Sequence, residues 1–232
     1  MSVTESGTPA PSRPPLRERK KQATRRTLRA AALELVTRRG FSQVTVEDIA
    51  EAADVSPRTF FNYFPSKEAA LFGADPARIE ALRDGLLHHA PGQSPLEALR
   101  VVLAEDARGV AEELVALGGH PGEWMRRMKE ARADPHLRAG QSAQMAMVER
   151  AMAEALAERL GTDADRDPYP ALLAAVATGT IRVCMHSWAA SGGTIPLDQL
   201  TDEAFRALAD GLPEDCALRR LTAATADGKD EH

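Results

Sequence analysis

The chain of 232 residues contains only two cysteines and no long apolar run. Cys184 and Cys216 cannot supply a disulfide framework or a cysteine-based metal site, and such sparse use is typical of a reducing cytoplasm. No apolar segment approaches the ~20 residues of a membrane span, and none follows the N-terminal charges as in a signal peptide. We therefore expect a cytoplasmic protein without a membrane partner.

Motifs of catalysis and of cofactor binding are also absent from the sequence. None of the six histidines has a glutamate three residues upstream, so the di-iron pattern of helical bundles is missing. The sequence has no H-E-x-x-H, no glycine-rich phosphate loop and no G-x-S-x-G. We expect no metal, no cofactor and no enzymatic activity, and a helical enzyme is the disfavoured alternative.

Strand signals are missing as well, because apolar and polar residues nowhere alternate regularly. Instead, Ser or Asp followed by Pro precedes a helical pattern at Ser56, Ser94, Asp134 and Asp167, and such a pair caps a helix and begins its first turn. We predict an all-α fold. The expected helices cover residues 16–39, 45–53, 57–64, 66–89, 94–117, 121–132, 135–160, 168–190 and 197–210.

The most specific stretch, residues 45–64, has the pattern of two short helices joined by a tight turn. Thr45 and Asp48 form a capping box for the first helix. Ser56 caps the second helix and Pro57 occupies its first position, where a missing N–H does no harm. This spacing predicts a helix-turn-helix.

The second helix of this pair has two different faces. Phe60 and Phe64 lie four residues apart and form an apolar anchor. The opposite face carries Arg58, Thr59, Asn62 and Tyr63. A short helix with such a polar face is suited to the major groove of DNA.

The charge distribution supports contact with DNA at one end of the chain. Net charge is −5, yet residues 13–64 carry eleven Lys and Arg against six Asp and Glu, and residues 65–232 carry −9. A basic head on an acidic body is expected when one end meets phosphate. We expect the following division: a disordered tail over 1–12, a DNA-binding domain over 13–64, a larger helical domain over 65–212 and a flexible tail over 213–232.

From about Arg17 to Leu71 the sequence resembles the TetR family of transcriptional regulators. The resemblance rests on Gly40-Phe41, T-V-E-D-I-A from residue 45, V-S-P-R-T from residue 55, F-F-N-Y-F from residue 60 and S-K-E from residue 66. It implies an N-terminal three-helix DNA-binding domain and a C-terminal helical domain for ligand binding and dimerisation. It also implies that Lys67 holds a phosphate.

We predict that Arg58 and Thr59 contact bases, with Asn62 as a further candidate, and that Thr45 and Tyr63 join Lys67 at phosphates. Phe61 either packs against a thymine methyl or the sugar backbone, or completes the core. The basic first turns of the first helix either contact phosphate or the minor groove, or form a solvated face. The predicted DNA-binding residues are Arg17, Lys21, Arg25, Thr45, Ser56, Pro57, Arg58, Thr59, Phe61, Asn62, Tyr63 and Lys67.

The helix predicted over 168–190 is apolar around most of its circumference, with Arg182 and His186 as the only large polar residues of 171–188. Such a helix must be covered on both sides. A second subunit is the natural cover, and in TetR-like proteins the last two helices of the domain form the homodimer. The alternative is a central helix in a monomeric bundle. His186 is either a pocket residue or a satisfied core histidine.

Six of the seven methionines lie in the C-terminal domain, where flexible thioether side chains suit either an adaptable apolar cavity or ordinary core filling. Residues 169–173 onward also resemble an actinobacterial TetR subgroup for which acyl-CoA-like ligands are suspected. We predict that a ligand's anionic head lies near Arg126 or Arg127. Its apolar part is predicted to contact Trp124, Met128, Met145, Val148, Met152 and Met185.

These patterns together favour a homodimeric, ligand-responsive transcriptional repressor. It would bind a palindromic DNA operator through residues 13–64, and a small apolar or amphipathic effector would release it. The alternative is an architectural DNA-binding protein that responds to no ligand.

Overall fold

The computed structural model describes residues 16–72, 76–90, 92–116, 120–123, 126 and 135–227. Within these residues the chain is helical and contains no strand, so the prediction of an all-α fold is confirmed. The helices are α1 (Leu16–Arg39), α2 (Val46–Ala52), α3 (Pro57–Phe61), α4 (Lys67–Phe72), α5 (Pro76–His88), α6 (Pro95–Ala116), α7 (Pro135–Leu160), α8 (Pro168–Ala190), α9 (Leu197–Ala209) and α10 (Ala217–Asp227). A short 3₁₀ turn, Phe41–Gln43, follows α1, and residues 121–123 and 126 are also helical.

The proline and capping signals act as the sequence predicts. Proline is the first residue of α3, α5, α6, α7 and α8, where its fixed φ fits the helix and its missing N–H breaks no hydrogen bond. Ser56 Oγ accepts from Thr59 N at 3.1 Å, Ser94 Oγ from Glu97 N at 3.2 Å, and Asp167 Oδ1 from Tyr169 N at 2.9 Å. Each of these bonds satisfies a backbone N–H that the helix itself cannot.

The helix bounds differ from prediction in the described residues. Helix α3 ends at Phe61, whereas the prediction carried it to residue 64. The helix expected over 66–89 is described as α4 and α5, and residues 73–75 between them lie outside the described residues. Helix α10 lies within the segment expected to be a flexible tail, and its Leu218 packs against the cluster around Trp188. The tail over 1–12 and most of the helix expected over 121–132 lie outside the described residues.

The N-terminal helices enclose a core of their own. Leu28, Val36, Ile49 and Phe60 are each no more than 1% exposed, and burying such a side chain contributes ~1.5–3 kcal/mol. Buried Ala70 and Leu71 extend this core onto α4. Helix α4 packs against both α1 and α7, so it links the N-terminal helices to the rest of the molecule.

Helices α5 to α9 form a bundle in which α6 packs against α9, and α7 packs against both α5 and α8. Leu86, Leu99, Leu156, Leu200 and Phe205 are fully buried at its centre. A Cβ built on Gly85 of α5 would lie 3.1 Å from the Val102 side chain of α6, so the two helices approach closely there. The bundle supplies most of the walls of the cavity described below.

Candidate DNA-binding surface and ligand cavity

A reciprocal cap fixes the start of α2. Thr45 Oγ1 accepts from Asp48 N at 3.1 Å, and Asp48 Oδ2 accepts from Thr45 N at 2.8 Å and from Thr45 Oγ1 at 2.6 Å. The hydrogen bonds from Thr45, followed by the nearby Arg39, hold the pKa of Asp48 below its ordinary value. Because the Thr45 hydroxyl carries one proton, a phosphate contact through that proton would have to replace the bond to Asp48.

The turn between α2 and α3 is set by two neighbouring residues. Asp54 has φ 55°, a left-handed conformation that Asp tolerates better than most residues. Val55 N donates to Ala50 O at 2.9 Å, and the Val55 side chain packs against the N-terminal core. This turn directs α3 across α2, as in a helix-turn-helix.

Residues 57–64, which comprise α3 and the turn after it and are called the recognition segment below, bury one face and expose the other. Phe60 and Phe64 are at most 1% exposed, and their ring centroids lie 5.8 Å apart. Ser56, Pro57, Arg58 and Asn62 are exposed, whereas Thr59 and Tyr63 are half-buried.

Phe61 also belongs to the exposed surface of this segment. Its side chain is 55% exposed, and its ring lies edge-on to Phe60, with centroids 5.6 Å apart. The option that Phe61 completes the core is therefore wrong.

Two basic side chains predicted to contact DNA make contacts within the protein. Arg25 Nη1 donates to Tyr63 O at 2.9 Å, and its guanidinium lies 4.3 Å from the centre of the Phe64 ring. Lys67 Nζ donates to Phe41 O at 3.1 Å and to Val44 O at 2.8 Å, and lies 4.1 Å from the centre of the Phe41 ring. Arg25 thus links α1 to the recognition segment, and Lys67 links α4 to the 3₁₀ turn after α1 and the residue that follows it. Arg17 and Lys21, by contrast, are exposed on the first turns of α1.

A cavity of about 270 Å³ lies where α5, α6, α7 and α8 meet α1 and α4. Its apolar lining includes Leu82, Leu103, Val148 and Ile181. Leu33 of α1 and Leu71 of α4 also line it, so the N-terminal core and the cavity share a wall. Sequence reasoning placed the cavity between the helices expected over 121–132, 135–160 and 168–190. The last two correspond to α7 and α8, which line the cavity, whereas most of the first lies outside the described residues.

Four of the eight residues predicted to bind the ligand line this cavity: Met145, Val148, Met152 and Met185. Arg126 does not line it; the side chain is exposed and lies 3.6 Å from Glu123. Trp124, Arg127 and Met128 lie outside the described residues.

The polar lining residues were largely missed. Arg78 and Asp106 form a bidentate pair with bonds of 2.6 and 2.5 Å, while Gln144, Arg182 and His186 also face the cavity. His186 is exposed, which agrees with the pocket option and not with a core histidine. An isolated polar residue on an otherwise apolar helix is a signal that the sequence offers for Arg182 and His186 of α8. Helices α5, α6 and α7 carry many polar residues, so Arg78, Asp106 and Gln144 could not be singled out.

Neither a membrane-spanning helix nor a cluster of metal-ligating side chains is found in the described part of the chain.

A helix-turn-helix joined to a helical bundle with an internal cavity defines the architecture of one-component DNA-binding regulators. The sequence profile of bacterial regulatory proteins of the tetR family matches residues 28–74, and that of the MftR C-terminal domain matches residues 93–213. The regulator TcmR of Streptomyces glaucescens is 36% identical over 196 residues, which are 81% of this chain and 84% of TcmR. The chain therefore belongs to the TetR family of transcriptional regulators.

The chain is also similar to part of a named repressor and, in fold, to a solved structure. The transcriptional repressor KstR of Rhodococcus jostii is 32% identical over 89 residues, 38% of this chain and 42% of KstR. The solved structure of FadR, a fatty acid degradation regulator from Bacillus halodurans, has a TM-score of 0.57 at 18% identity. It covers 83% of this chain and 97% of FadR, and this likeness shows a shared fold.

Proposed function

We propose that this regulator is a homodimeric repressor that binds a palindromic operator and leaves it when a small apolar or amphipathic effector enters the cavity. One observation carries the proposal: Arg29 and Leu33, which line the cavity, belong to the same helix α1 as Arg25, which holds the recognition segment. A ligand that moves this wall acts directly on the DNA-binding helices. No catalytic step is part of the proposal.

On the DNA side, Arg58, Thr59 and Asn62 contact base edges, and Phe61 contacts a thymine methyl or sugar. Exposure of Arg58 and Asn62 supports this assignment. The positioning contacts to the backbone come from Arg17, Lys21, Arg25, Thr45, Ser56, Pro57, Tyr63 and Lys67. For Lys67 the two bonds to protein carbonyls leave one N–H group for phosphate, since an ammonium has three.

Dimerisation is proposed through α8 and α9. On α8, Tyr169, Leu172 and Val183 recur along one exposed face and are 47%, 60% and 52% exposed. Nothing lies within 4 Å of a Cβ built on Gly179, which lies on the same face. An exposed apolar stripe with a small residue at its centre supports close approach of a second α8 across a two-fold axis.

A mechanism of release follows from this arrangement. The recognition helices of a dimer must match half-sites about one helical turn, ~34–36 Å, apart or a multiple of it. An effector that pushes Leu33 outward would shift α1 and, through Arg25 and Tyr63, the position of α3. Recognition helices that no longer match the spacing of the half-sites bind the operator more weakly, although every contact residue is still present.

The alternative of a ligand-independent DNA-binding protein is disfavoured by the cavity, since a solid domain would leave an effector no place. Its volume of about 270 Å³ is near the lower end of the ~300–1,000 Å³ of ligand pockets. An acyl chain suits such a space, and the acyl-CoA-like class remains our expectation for the effector.

The test begins with selection of genomic fragments by the purified protein, followed by sequencing. We expect a palindromic sequence bound by a dimer. The operator complex is then exposed to a panel of free fatty acids, acyl-CoA thioesters and aromatic metabolites. Release by at least one compound supports the proposal. Stable binding in the presence of every compound would favour the ligand-independent alternative.

A further inference from the structure

An unpaired amide lies in the wall of the cavity. Gln144 Nε2 is buried and has no hydrogen-bond partner among the described residues. Gln144 stands one turn before Val148 and two turns before Met152, so the three side chains share the cavity-facing side of α7. A buried N–H without an acceptor destabilises the protein, and an acceptor on a bound molecule would remove this destabilisation.

Several other polar groups of the cavity have partners in the protein. Arg78 and Asp106 bind each other through two hydrogen bonds, and Thr178 Oγ1 donates to Glu149 Oε2 at 2.9 Å. Arg182 and His186 are exposed and belong to the rim, and half-buried Glu113 adds an acidic group to the lining. Charged residues thus also line the cavity, among them Arg29 of α1, and Gln144 supplies a buried neutral donor that has no acceptor among the described residues.

We infer that the effector carries a carbonyl-type oxygen that accepts a hydrogen bond from Gln144 Nε2, and an apolar chain that lies against Leu82, Leu103, Val148 and Ile181. The inference rests on the proposed function of the cavity and specifies the chemistry of its ligand. Carboxylates, thioesters and ketones share this acceptor. A hydrocarbon of the same shape lacks it and leaves the amide unpaired.

Three probes of matched shape test the inference: methyl heptyl ketone, its methylidene isostere, in which C=CH₂ replaces C=O, and octanoate. Their affinities are measured by displacement of a fluorescent anilinonaphthalene sulfonate. The ketone should bind the wild-type protein about tenfold more tightly than the isostere, the ~1.4 kcal/mol of one hydrogen bond. A purely apolar cavity would give the opposite order, because the isostere is the more hydrophobic compound.

Gln144→Leu should abolish or invert this preference, while Gln199→Leu, an exposed glutamine on α9, should keep it. The ligand-free Gln144→Leu protein should unfold at the same temperature as wild type or higher, since an unpaired buried amide is removed. An unchanged preference in Gln144→Leu, or a lower unfolding temperature, would overturn the inference. If octanoate binds more tightly than the ketone, the natural ligand is an acid. If octanoate binds less tightly than the ketone, the natural ligand is a neutral carbonyl compound.

Failure of the inference and failure of the proposed function give different results. If none of the probes binds but another compound releases the operator, the inference fails and the proposed function stands. If ketone binding depends on Gln144 but no compound that enters the cavity releases the operator, the inference stands and the proposed function fails.

Discussion

Burial divides the recognition segment into side chains that hold the fold and side chains available to DNA. Phe60 and Phe64 are buried and Arg58 and Asn62 exposed, as their spacing on a helix predicts. The contacts of Arg25 and Lys67 could not be predicted in this way. The carbonyl partner of Arg25 lies 38 residues away in sequence, and the two partners of Lys67 lie 26 and 23 residues away. Only the tertiary fold brings these groups together.

Arg58→Ala is expected to weaken binding to the selected operator by ~1–3 kcal/mol and to relax preference at one base pair, because an exposed Arg can hold a guanine edge through two hydrogen bonds. Competition binding against a library of single-base operator variants measures both effects. Arg38→Ala, exposed at the end of α1, is the matched control and should leave the preference intact. The same base profile for Arg58→Ala and wild type would remove Arg58 from the base-contacting set.

Lys67→Met keeps an apolar stem over Phe41 but removes the ammonium. We expect weaker binding to all DNA sequences alike, with a salt slope reduced by ~1, because one phosphate contact is lost. We also expect the free energy of unfolding to fall by ~1 kcal/mol, since Phe41 O and Val44 O lose their donor. Titrations at several salt concentrations and urea unfolding measure the two effects separately. Lower stability with an unchanged salt slope would assign Lys67 a structural role only.

At the scale of the helices, the residues that begin a helix were predictable from sequence, whereas hydrogen bonds between helices distant in sequence were not. Capping residues and prolines act on their immediate neighbours, so Ser56, Ser94 and Asp167 could be recognised from sequence. The C-terminal end of α5 is held differently. Arg159 of α7 donates to the carbonyls of Leu86, His89, Ala90 and Gln93 at 2.9, 2.8, 3.1 and 3.3 Å. No local pattern marks an arginine as the cap of a helix so distant in sequence.

Arg159→Ala should lower the free energy of unfolding by ~1–3 kcal/mol, because the last carbonyls of α5 lose a charged donor. Urea unfolding followed by circular dichroism gives the value. Arg150→Ala on the same helix removes an exposed side chain paired with Glu154 and should change stability by less than ~0.5 kcal/mol. Equal effects of the two substitutions would contradict the role of Arg159 as a cap.

Leu172→Arg on the exposed face of α8 should convert the dimer to a monomer, since a charge would be buried without a partner at the proposed interface. Sedimentation equilibrium measures the association state. Met147→Arg on α7, 56% exposed and outside the cavity lining, is the control and should leave the dimer intact. If Leu172→Arg stays dimeric, the interface lies elsewhere.

For the whole molecule, the proposed coupling of ligand and DNA depends on the wall that the cavity shares with the N-terminal helices. The methionine pattern indicated Met145, Met152 and Met185 correctly as cavity residues. The contributions of Arg29 and Leu33 were not predictable, because both residues lie more than a hundred positions before Met145, the nearest cavity methionine in sequence. Under the proposed function, a ligand in the cavity would lie beside α1.

The affinity of the selected operator, measured by fluorescence anisotropy with increasing effector, tests this coupling most directly. Val148→Trp, which fills the cavity, is compared with Met147→Trp, one residue away and exposed. We predict that effector weakens operator binding by wild type and by Met147→Trp ~5–150-fold, and that operator weakens effector binding by the same factor. Val148→Trp should bind the operator as wild type does, and effector should not change this affinity. Equal release of Val148→Trp and wild type, or an effector that binds without changing operator affinity, would contradict the account.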